Sequence, residues 1–113
     1  MMNNHALTAR TVNGIEFDYT GSLADGLIIY FRRSGTRMPI SPRTVSIIRN
    51  EIATRSPVPI GANRDGVTDS VGKTLRTEHG LSPQHLSYVV PLLVDEGFCR
   101  VEKEGRAFIL RTR

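Results

Sequence analysis

Leu75-Arg76-Thr77-Glu78-His79-Gly80-Leu81-Ser82-Pro83-Gln84-His85-Leu86-Ser87-Tyr88-Val89-Val90-Pro91-Leu92-Leu93-Val94-Asp95-Glu96-Gly97-Phe98 carries the signals that decide the fold. Gly80 tolerates the left-handed backbone that ends a helix. The segment before it, Ser70 to His79, reads as a short helix with Asp69 as its cap and Val71 and Leu75 as its inner residues. Ser82-Pro83 then offers a capping hydroxyl followed by a residue pre-organised for a first helical turn. From Gln84 to Glu96, Leu86, Val89, Val90 and Leu93 form one apolar stripe, and Gly97 stops the run. Pro91 removes a backbone donor inside this helix and crowds the carbonyl of Ser87, so a bend is expected there. Two strand-like runs follow, Phe98 to Glu102 and Arg106 to Thr112, around a compact turn at Lys103-Glu104-Gly105.

Upstream, Ser41-Pro42 is a second cap-then-proline signal, and Val45, Ile48 and Ile52 recur at helical spacing up to about Arg55. Pro57 and Pro59 force extended geometry on their predecessors and end that helix. Asn63-Arg64-Asp65-Gly66 reads as a turn within a long connection. Nearer the N-terminus, Asn13-Gly14 separates two short runs and suits a type I′ hairpin turn. Ile15, Phe17 and Tyr19 alternate with Glu16 and Asp18, which gives the second run one apolar face. Ser22-Leu23-Ala24-Asp25 resembles a capping box. With Leu23, Leu27, Tyr30 and Phe31 behind it, a helix is favoured, although the continuous run Leu27 to Phe31 fits a buried strand as well.

A chain of 113 residues is one domain by length and can bury roughly 65% of its unfolded surface without staples. Fifteen Lys and Arg against eleven Asp and Glu give a net charge of +4, which tilts the partners toward polyanions. Lys occurs only at Lys73 and Lys103, so every other cation is Arg, the side chain whose planar donor fork suits phosphates and guanine edges. Cys99 is the only cysteine, which excludes an intramolecular disulfide and gives no sign of an oxidising compartment. No run approaches the ~20 apolar residues that span a bilayer. Met1-Met2-Asn3-Asn4-His5 has no basic region leading into an apolar one, so a cytoplasmic protein without a membrane partner is expected.

The spacing of Leu75, Gly80, Leu81, Ser82, Leu86, Ser87, Val90, Leu93, Gly97 and Phe98 resembles the helix, turn, recognition helix and wing entry of winged helix-turn-helix DNA-binding domains. The resemblance covers residues 71–113, with Pro42 to Arg55 as a support helix. It departs from the usual pattern at Arg76, where a small alanine is common, at Pro91, and in the long 56–69 connection. It implies an α+β fold: a winged helix over 41–113, and an N-terminal hairpin and helix over 1–40 available for dimerisation. The implied function is a small transcriptional regulator that binds double-stranded DNA as a homodimer reading paired half-sites, without cofactor or catalysis. The recognition helix (about 83–96) then offers Ser82, Gln84, His85, Ser87 and Tyr88 to bases and backbone. The wing (about 98–112) offers Lys103 and Arg106, and Lys73 and Arg76 reach phosphates from the preceding helix. The alternative is a winged-helix module that holds another protein, which the modest charge, the proline within the recognition helix (Pro91) and exposed Tyr88 and Leu92 would suit.

Enzyme readings fare worse. Gly66 to Thr74 resembles a phosphate-binding loop, but five residues separate its glycines where the motif has four, and no apolar strand leads into it. His79, His85 and Cys99 match no compact zinc spacing, and nothing in the sequence brings Asp65, Asp69 and Glu78 together.

Overall fold

Apolar alternation dominates the N-terminal third, and in the computed structural model, which describes residues 6–62 and 69–113, residues 6–40 form a sheet without a helix. Strands β1 (Leu7–Arg10), β2 (Glu16–Ser22), β3 (Gly26–Tyr30) and β4 (Arg37–Ile40) make an antiparallel meander in the order β1-β2-β3-β4. The helix expected over Leu23 to Phe31 is therefore corrected to strand. Leu27 and Ile29 are buried, whereas Ile28 and Tyr30 point to the other face, the period of two that defines a strand. The cap-like hydrogen bond does form, Asp25 N to Ser22 Oγ at 3.0 Å, but it closes the β2–β3 turn. The Asn13-Gly14 turn is also longer than a two-residue type I′ turn. Thr11 and Gly14 donate to Ile15 O and Thr11 O, leaving three residues in the loop with Gly14 at φ +87°.

Across the exposed face of this sheet, Arg32 holds Asp18 with two bonds, Nε to Oδ2 at 2.9 Å and Nη2 to Oδ1 at 2.8 Å, while Thr8 Oγ1 donates a third. The Arg32 bonds, then that of Thr8, pull the Asp18 carboxyl down to about 2. A depressed carboxyl contributes stability that is complete above its unfolded value and is lost as pH falls through the folded one. The chain is accordingly expected to lose stability between about pH 4 and pH 2 more steeply than Asp18→Asn does, a difference read from urea midpoints across that window.

The rest is mixed. Helix α1 (Pro42–Arg55) starts where Ser41 Oγ accepts Thr44 N at 3.1 Å, and buries Val45, Ile48 and Ile52 as their spacing predicts. Strand β5 (Val58–Pro59) lies in the long connection, and the turn expected at 63–66 falls outside the described residues. Helix α2 (Val71–His79) is capped by Ser70, whose Oγ accepts Lys73 N at 3.1 Å, and not by Asp69. Helix α3 (His85–Asp95) begins two residues later than Ser82-Pro83 suggests and runs through Pro91. Strands β6 (Cys99–Glu104) and β7 (Ala107–Thr112) close on a two-residue turn, Gly105-Arg106, so Lys103 and Glu104 belong to β6 and not to the tip.

The second sheet has the order β5-β7-β6, all antiparallel. Among the described residues the fold is thus α+β, three helices with two antiparallel sheets. One buried cluster joins them, running from Phe17, Leu27, Ile29 and Ile40 in the first sheet to Ile48, Leu75, Leu86, Leu93 and Leu110. Arg49 ties α1 to the far end of α3, pairing with Glu96 and lying over the Phe98 ring at 5.1 Å. Among the described residues no helix is long and apolar enough to cross a membrane.

Candidate nucleic-acid interface

Two glycines set the angle between α2 and α3. Gly80 (φ +64°) ends α2, and Leu81 N donates to Leu75 O at 2.9 Å, folding the chain back at once. At the other end of α2, Gly72 N donates to Ile60 O at 2.9 Å, and a Cβ built on Gly72 meets Gly61 O at 1.8 Å and Pro83 Cβ at 3.1 Å. The start of α2 is thereby pressed against both the exit of β5 and the turn that opens α3. Lys73, the next residue, projects into solvent beside that junction.

The turn before α3 is held by its own polar groups. Ser82 Oγ accepts Gln84 N at 3.2 Å, and His85 Nδ1 lies 2.8 Å from Ser82 O. A carbonyl only accepts, so Nδ1 is the donor in this contact. Ser82 and His85 thus serve the local fold, while Gln84 is exposed without such a duty.

Further along α3 the expected face is not open. Tyr88 packs edge-on against Phe17 (ring centroids 5.0 Å) and Phe31 (5.6 Å) of the first sheet, and burial pushes its hydroxyl pKa up. Leu92, expected outside, is buried. Ser87 is half-buried between two clefts. One, of about 290 Å³, lies between Val12 and Asn13 of the β1–β2 turn, Pro59 to Ala62, and the hairpin residues Lys103 and Arg106. The other, of about 420 Å³, is walled by Phe17, Phe31 and Tyr88 with Arg32 and Arg33 at its border.

Of the nine candidate contacts, the structure brings Ser87, Lys103 and Arg106 to one cleft and sets Lys73 near the Pro83 turn. Tyr88, partly exposed, packs against Phe17 and Phe31 at the wall of the other cleft. Lys73, Arg76, Ser82, Gln84, Lys103 and Arg106 are exposed. Lys73, Lys103 and Arg106 form no ion pair among the described residues, though the Lys103 ammonium lies 5.8 Å from the Phe108 ring centroid. Phe17 and Phe31 pack against α3 at Tyr88. The alternation of Ile15, Phe17 and Tyr19 signals an apolar face but not what it covers.

The loop-like run Gly66 to Thr74 lies outside the described residues up to Thr68. Its remainder builds the start of α2, where Thr74 Oγ1 accepts from Arg55 at 2.9 Å and is buried. Among the described residues no three His, Cys, Asp or Glu side chains converge to hold a metal ion. Cys99 is buried and its thiol pKa is raised by that burial first and by Glu96 second. Comparison of the chain with protein families, with characterised proteins and with solved structures finds no match.

Proposed function

We propose that residues 42–112 form a winged helix-turn-helix and that the protein binds duplex DNA, with α3 as its recognition helix and β6–β7 as its wing. The observation that carries this reading is the pairing of β5 with β7. A two-residue strand between the first and second helices returns to the outer side of the hairpin. It locks the order α1, β5, α2, α3, β6, β7 into one unit in which hairpin and helix pair have a fixed relation.

Contact with DNA falls to the leading end of α3 and its surroundings. Gln84 reaches base edges, Lys73 and Arg76 serve phosphates from α2, and Lys103 and Arg106 do so from the wing. Because Tyr88 packs against Phe17 and Phe31, base contacts fall to the leading end of α3 and most affinity comes from the phosphates. A part in transcription and a two-fold dimer belong to the same proposal, through the habits of such modules.

The test is fluorescence anisotropy with a random duplex across about 50 to 200 mM salt, where each phosphate contact contributes a slope of about −0.9 in log K against log salt. The wild-type chain is expected to show a slope of about −2 to −4. Lys73→Ala/Arg106→Ala should flatten it by about 1.8, two contacts' worth. Absence of salt-sensitive binding at micromolar protein defeats the reading, and an unchanged slope in the double variant moves the interface elsewhere.

The second reading, a module that holds another protein, is favoured by one observation. Tyr88, mid-way along α3, already packs against Phe17 and Phe31.

A further inference from the structure

Among the described residues both sheets end in an open strand, and the two open strands line one cleft. β1 is the outer strand of the first sheet and β6 of the second. Arg10, Thr11 and Val12 lie on one side of a cleft of about 440 Å³, Arg100, Val101 and Lys103 on the other, with Pro91 and Val94 of α3 between them.

The parity of each ladder tells which main-chain groups face outward. Thr11 N donates to Ile15 O, so Thr11–Ile15 is a bonded pair, and the alternation of an antiparallel ladder makes Ala9–Phe17 and Leu7–Tyr19 the next ones. The N–H and C=O of Thr8 and Arg10 therefore point away from β2. In the wing, the two-residue turn makes Glu104–Ala107 a bonded pair, followed by Glu102–Ile109 and Arg100–Arg111. Arg113 N donating to Phe98 O at 3.3 Å continues the same parity. The main-chain groups of Val101 and Lys103 thus point away from β7. Among the described residues each side of the cleft offers donors and acceptors in alternation along an unpaired edge.

We propose that this cleft takes up an extended acidic peptide from a partner protein as an added strand between β1 and β6. Alternating donors and acceptors select a peptide backbone; a nucleic-acid backbone presents acceptors and leaves the edge carbonyls unmet. The side chains select charge. Arg10, Arg100 and Lys103 stand against Asp95 alone among the lining residues. Arg10 and Arg100 now pair with Glu16 and Glu102, but these ion pairs are solvent-exposed and exchange partners at little cost. Pro91, Val94, Val101 and Phe108 give the alternate side chains of the strand an apolar floor. Open edges of this kind are a hazard unless covered, and a partner strand covers both at once.

The probe is a fluorescein-labelled hexapeptide of alternating Glu and Val, read by anisotropy against the full chain. Binding is expected. Replacing its Glu by Lys should weaken it at least ~10-fold, as should N-methylation of alternate amides, which leaves the charge intact. On the protein, Arg10→Ala/Arg100→Ala should cost about 10-fold. Lys103→Pro, which deletes an N–H aimed at the cleft and leaves the β6–β7 ladder whole, should cost at least ~10-fold against ~3-fold for Lys103→Ala. Should Lys103→Pro fail to fold, the N-methylated probe decides the same question on the unaltered chain. Equal binding of the N-methylated and parent peptides overturns strand addition, and equal binding of the Lys and Glu peptides overturns the charge assignment. No binding up to about 1 mM peptide, or self-association of the chain through this cleft, overturns the proposal. The two readings share Lys103, and the DNA reading is tested separately through Lys73, Gln84 and Arg106, which lie outside the cleft.

Discussion

Gly72→Ala is expected to lower the melting temperature by roughly 10 °C or more, the effect of about 3 kcal/mol in a chain of this length. The sign is the informative part. Gly72 has ordinary helical geometry inside α2, and on an open helix face the same change would stabilise by about 1 kcal/mol. Here a methyl group meets Gly61 O at 1.8 Å and Gly61 C at 2.7 Å, backbone atoms that cannot swing aside. Relief requires moving either the exit of β5 or the start of α2, and Gly72 N to Ile60 O at 2.9 Å is lost in both cases. Pro83, 3.1 Å away, couples the displacement to α3. Gly80→Ala is the control: its Cβ has nothing within 4 Å, so only the cost of a left-handed backbone is incurred, about 1 kcal/mol. Thermal melts of the two variants by circular dichroism separate the effects. A Gly72→Ala melt within a degree or two of wild type would mean that the α2–β5 junction is not this close.

Local chemistry made much of the C-terminal two thirds legible. Ser41-Pro42 starts α1, Gly80 ends α2, and Gly97 follows α3, because caps and stops depend on a few neighbouring residues. Legibility failed where a local signal serves two outcomes. The Ser22 to Asp25 hydrogen bond looks the same at a helix start and at a hairpin turn. The choice between them was made by β2 and β4, which flank β3 on either side. It failed again at β5, where Val58 and Pro59, directly after Pro57, have no period and are strand only because β7 is beside them. Tyr88 is the instructive site residue. On a helical wheel it sits beside the stripe of Leu86, Val89, Val90 and Leu93, free to be inside or out. Phe17 and Phe31, more than fifty residues earlier in the chain, decide the matter, and no pattern within α3 encodes them.

That packing makes Tyr88→Ala the variant with the largest expected effect on function. The ring holds the first sheet to α3 through two edge-on contacts, and its loss should cost about 2 to 3 kcal/mol, below the full value for a buried aromatic because Tyr88 is partly exposed. Amide hydrogen exchange should then rise across β1 to β4 while α1, which has its own cap and also packs on α2 and β7, stays better protected. If the sheet restricts the proposed groove contact, loosening it opens the length of α3, and affinity for duplex DNA should increase about 10-fold, equal to about 1.4 kcal/mol. Phe31→Ala separates release of the sheet from the loss of the tyrosine itself, since Phe31 is not on α3. Both variants should tighten binding if the sheet acts as a cover. If both weaken it with the fold intact, β1 to β4 belong to the DNA-contacting surface. If Tyr88→Ala weakens it and Phe31→Ala does not, the phenol touches DNA and the sheet does not occlude it.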